Sequence, residues 1–95
     1  MARPIALAGS DGTLLDQTDN DRTFKLMGWS IRETGGAVAS LRLRERSASG
    51  AIVGAVSLVA NGHSVAWFGP QGITCSGDLL EDTTAGAYEG CVYVA

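Results

Sequence analysis

The chain is poor in the residues that most often carry chemistry. Its 95 residues include one histidine, two cysteines, two prolines and two each of Phe, Trp and Tyr. No basic residue occurs after Arg46. No apolar run approaches the roughly 18 residues of a membrane-spanning helix, so no membrane association is expected. Nowhere do apolar side chains hold the helical period over a useful length, which argues against a helical core.

Each shortage removes a class of function. Cys75 and Cys91 lie 16 positions apart with neither CxxC spacing nor clustered histidines, so no zinc site is expected. Two buried thiols are the expectation, with a disulfide as the alternative if assembly meets oxidising surroundings. His63 follows the Asn61-Gly62 turn, and neither Ser64 nor Ser76 sits in a nucleophile elbow that would make a triad with Asp78. Asp11-Gly12-Thr13 echoes an aspartic-protease motif but lacks flanking apolar strands to hold a carboxylate dyad. The glycines open no helix with a following Lys and Ser or Thr, so they read as turn residues and not as a phosphate loop. Asp16, Asp19 and Asp21 lack the ordered loop and closing Glu of a calcium-binding EF-hand. Catalysis, cofactors and metals are therefore not expected.

What is present is small and apolar. Hydrophobic residues make up 45% of the chain, chiefly Ala and Val beside 13 Gly, a mix suited to thin sheets and tight turns. A chain of this length makes one domain and buries only about two thirds of its unfolded surface, so cover from a partner is expected. Met1 to Ala8 is followed at once by Gly9-Ser10-Asp11-Gly12, too short an apolar stretch for a secretory signal, so a cytoplasmic origin is expected.

The periodicity is that of strands. Residues 1–22, rich in Asp and turn formers, read as an N-terminal arm with a short strand near Pro4 to Ala8. From Thr23, Met27, Trp29 and Ile31 alternate with Gly28, Ser30 and Arg32. Ala37, Ala39, Leu41 and Leu43 then share one face, with Ser40, Arg42, Arg44 and Arg46 on the other. Ala51 to Ala60 is apolar on both faces, which makes it either a central strand or one covered by a neighbouring subunit. Shorter strands follow at Ser64–Phe68, Ile73–Cys75, Leu79–Thr84 and Ala87–Val94. Residues 23–95 are thus expected to form an all-β, antiparallel sandwich or barrel of six to seven strands, with both tryptophans inward.

Charge is segregated. Residues 23–50 hold five basic side chains against two acidic ones, while residues 51–95 hold four acidic and no basic ones. Arg42, Arg44 and Arg46 are expected to project as a row from one strand, with Asp78, Glu81, Asp82 and Glu89 as carboxylate partners in the same or a neighbouring chain. Together with Arg3, Arg22 and Arg32 they are the candidate partner-binding residues. The acidic balance, and arginines without interleaved aromatics, argue against nucleic acid.

The segments Gly28-Trp29-Ser30-Ile31-Arg32-Glu33-Thr34, Ala39-Ser40-Leu41-Arg42-Leu43-Arg44, Trp67-Phe68-Gly69-Pro70-Gln71-Gly72-Ile73 and Tyr88-Glu89-Gly90-Cys91-Val92-Tyr93-Val94 resemble small virion proteins of tailed bacteriophages. The resemblance covers residues 23–95. It implies a β-sandwich or barrel subunit of the virion, assembled in a bacterial cytoplasm. The implied role is a decoration or cement protein, often trimeric, that binds the major capsid protein or other virion subunits. The alternatives are a tail or head-tail junction protein, or a module gripping host-surface glycans through Trp67, Trp29 or Tyr88.

Overall fold

The computed structural model describes residues 2–19 and 21–95. Nine strands follow in order: β1 (Arg3–Ala6), β2 (Gly12–Leu15), β3 (Thr23–Glu33), β4 (Ala39–Glu45), β5 (Ile52–Leu58), β6 (His63–Trp67), β7 (Ile73–Ser76), β8 (Leu79–Ala85) and β9 (Tyr88–Val94). Every pairing is antiparallel. Sheet I runs β1-β9-β3-β6, with β7 also on β3, and sheet II runs β2-β8-β4-β5. The two sheets enclose one apolar core, and no helix occurs among the described residues.

The eleven-residue β3 organises sheet I. One of its edges takes β9, and the other is shared by β7, along Thr23–Leu26, and β6, along Gly28–Arg32. A bulge between Leu26 and Gly28 reverses the side-chain parity, so Phe24 and Leu26 point inward before it and Trp29 and Ile31 after it. The bulged Met27 is buried too, and a Cβ at Gly72 would meet its sulfur at 2.7 Å. Trp29 meets Phe68 edge to face, with centroids 5.3 Å apart, and donates its indole N–H to Ser64 Oγ at 3.0 Å. That bond explains a serine on the inward side of β6.

Sheet II follows the expected alternation. Ala39, Leu41 and Leu43 of β4, Val56 and Leu58 of β5 and Leu79 of β8 are buried. Ile52, which simple alternation would put on the face of Val56 and Leu58, is exposed instead, because a bulge shifts the β4–β5 register between Leu43 and Arg44.

Seven strands lie in residues 23–95, and two more come from the segment read as an arm. That segment is stitched into both layers: β1 pairs with β9 of sheet I, and β2 pairs with β8 of sheet II. Between them the chain crosses over Glu81, which is 2% exposed and whose carboxyl group accepts from Ala8 N at 2.8 Å, Gly9 N at 3.0 Å and the Tyr88 hydroxyl. Further on, Gln17 N donates to Asp78 Oδ1 at 2.8 Å. The short polar segment is held by backbone pairing and by carboxylate acceptors from β8 and the turn before it, which leave little trace in its hydropathy.

Candidate docking surface

The outer face of sheet I is set by register. One row across it reads Pro4, Tyr93, Gly28, Trp67, and the next reads Ala6, Cys91, Ser30, Val65. Neither row holds a charge. Trp67 is 61% exposed and Val65 71%, at the side of the face formed by β6. The small residues between them and Tyr93 keep the middle of the face low.

Gly28 is where backbones come closest. A Cβ there would lie 2.1 Å from the Ala66 carbonyl oxygen, so no larger residue fits while β6 stays paired. Trp67 stands directly across from it in register.

A third row is charged: Glu89, Arg32 and His63 are in register, and Arg32 forms an exposed ion pair with Glu89. Ala6, Ser30, Val65 and this row border a shallow depression of about 540 Å³. The exposed pair adds little stability, and its arrangement suits the rim of an interface better than a centre.

The other candidate arginines are dispersed. Arg42 is exposed on the outer face of sheet II, between Asp82 and Ala55 in register. Arg44 is tied within the chain, with Nε 3.0 Å from Asp82 Oδ2 and Nη1 2.9 Å from the Gly50 carbonyl. Arg46 lies beyond β4 with φ of 76°, and its Nε donates to Ser76 Oγ at 3.1 Å. The expected row therefore ends after two members, because the left-handed residue turns the third away. Arg3 and Arg22 line a separate depression of about 190 Å³ beside Gln17 and Ala95. Arg32 is on the opposite sheet. The six arginines do not converge on one surface.

Of the expected carboxylate partners, Asp82 and Glu89 pair with arginines in the chain, whereas Glu81 is interior and Asp78 binds the Gln17 backbone. Cys75 and Cys91 are free thiols. Cys75 is buried, and desolvation, aided by the Glu45 charge, pushes its pKa up to about 11. Cys91 lies on the outer face of sheet I. Trp29 is inward as expected, but Trp67 is not, and Tyr88 is buried against Glu81. The signal for Trp67 was the order Ser64-Val65-Ala66-Trp67-Phe68, which put Val65 and Trp67 on one face without saying which face met water.

Fold and surface define a small all-β antiparallel sandwich whose one outer sheet face carries two uncharged rows, with Trp67 and Val65 exposed, beside a charged row. Comparison with protein-family models, with curated proteins and with solved structures finds no match in any of the three.

Proposed function

We propose that the chain is a non-enzymatic structural subunit of a tailed-bacteriophage virion that seats the outer face of sheet I on a neighbouring virion subunit. The carrying observation is the pair of uncharged rows with Trp67 and Val65 largely exposed. An exposed Trp beside small residues is the kind of anchor that dominates protein interfaces, and a polar rim supplied by Arg32, Glu89 and His63 sets orientation. The virion assignment comes from the sequence resemblance. Within the virion, the reading places the domain on the capsid shell with the major capsid protein as partner, where many weak copies act together.

The test is occupancy of purified particles carrying Trp67→Ala. Truncating such an anchor costs about 2 kcal/mol or more, roughly a 30-fold loss of affinity, so the variant should be depleted from virions while its melting temperature hardly moves. Unchanged occupancy overturns the reading. Copy number then separates sites: hundreds per particle fit the shell, and tens or fewer fit a tail or junction. The exposure of Trp67 also suits stacking on a sugar ring, and glycan-array binding lost in the same variant would favour that second reading.

A further inference from the structure

The strand expected to be either central or covered is neither central nor covered within this chain. β5 is the last strand of sheet II and pairs only with β4. Its other side presents a row of backbone N–H and C=O groups, whose natural partner is another strand.

The remaining edges carry the devices that block such pairing. β1 has four residues and includes Arg3 and Pro4, β2 has four and a register shift, and β7 has four. β6 has five and begins at His63. β5 has seven, Ile-Val-Gly-Ala-Val-Ser-Leu, with no charge and no proline. Its one bulge is confined to its start, between Ile52 and Gly54, which leaves Gly54–Leu58 regular. Two large apolar side chains bracket it in the open, Ile52 at 50% and Val59 at 72% exposure.

We propose that β5 pairs antiparallel with β5 of a second copy of this chain about a two-fold axis at Ala55, joining two copies of sheet II into one eight-stranded sheet. The occupant follows from the strand itself. An axis at Ala55 sets Ala55 opposite its own copy and Gly54 opposite Val56, so across this regular centre, inside the bulge, inward residues meet inward residues and the two cores continue in phase. The same register brings Val59 beside Ala51 and Ile52 of the second copy, which covers the exposed pair at each end. Charge does not oppose it: the nearest basic side chain on the outer face, Arg42, stands across from Ala55, so the two Arg42 side chains lie about 14 Å apart, three strand spacings. The small side chains at the axis let the backbones approach.

The inference is independent of what sheet I docks on, and its test reads solution mass alone. Sedimentation equilibrium at tens of micromolar should give twice the 9.8 kDa chain mass. Ala55 is exposed, so Ala55→Lys should fold, yet it places like charges directly opposite at the axis and should weaken the dimer about fivefold or more. Ala55→Glu should do the same, and mixing the two variants should restore a dimer containing one of each. A monomer or a trimer for the unaltered chain, a dimer indifferent to Ala55→Lys, or failure of the mixture to recover overturns the proposal.

Discussion

Two buried glutamates, Glu33 and Glu81, each accept backbone N–H groups brought from other parts of the chain. Glu33 is 5% exposed and accepts from Asn61 N at 2.8 Å, Gly36 N at 3.0 Å and Gly35 N, fastening the β3–β4 loop to the β5–β6 turn. These bonds, Asn61's first among them, hold its carboxyl group below the ordinary glutamate range. They exist only in the folded chain, so the unfolded group titrates near its reference pKa of about 4.3. The stabilisation is complete above that value and is lost as pH falls through the lower folded pKa. Glu33→Gln should therefore melt below the unaltered protein at neutral pH, with the gap closing in acid. Thermal melts across that range test it, and a gap of constant size would show that charge plays no part.

At the scale of elements, the opening segment is the least expected part. Because β1 closes sheet I, β2 closes sheet II and the link between them caps Glu81, removing residues 1–22 should leave Glu81 and Tyr88 without that cover and yield a chain lacking fixed tertiary structure. Near-UV circular dichroism of the truncated chain measures this directly. A native-like spectrum would mean that residues 23–95 are self-sufficient. The seven strands of that region were legible because their inward sets, such as Leu41 with Leu43 and Val92 with Val94, alternate cleanly. Before Thr23, β1 falls close to the short strand expected near Pro4 to Ala8, whereas β2, four residues among aspartates, gives too brief a period to detect, and neither pairing partner was legible. Glu33 and Glu81 were illegible for another reason: hydropathy assigns every carboxylate to water, while burial here depends on donors brought from distant turns. The arginine row failed at one residue, Arg46, whose left-handed backbone no alternation pattern reveals.

As a whole molecule, the sandwich is built from pairings between distant parts of the chain. β1 meets β9, β2 meets β8, and β3 joins β6, β7 and β9. Closing such loops before any local structure compensates makes folding slow, so refolding by stopped-flow fluorescence of Trp29 and Trp67 should fall in the millisecond to second range. A microsecond phase carrying the full amplitude would contradict that topology. Each sheet pairs one arginine with a carboxylate on its outer face, Arg44 with Asp82 on sheet II and Arg32 with Glu89 on sheet I, but sheet I alone leaves Trp67 and Val65 open beside its pair.

The β1–β9 pairing has a mechanical consequence. Arg3 sits opposite Val94, so the first and last strands run side by side in opposite directions with their outer ends together. A force pulling those ends apart acts along the inter-strand hydrogen bonds and loads them one after another, in the manner of a zipper and not of a shear joint. The domain should yield to tension at low force by peeling β1 from β9, and a load-bearing role would have to pass through its faces.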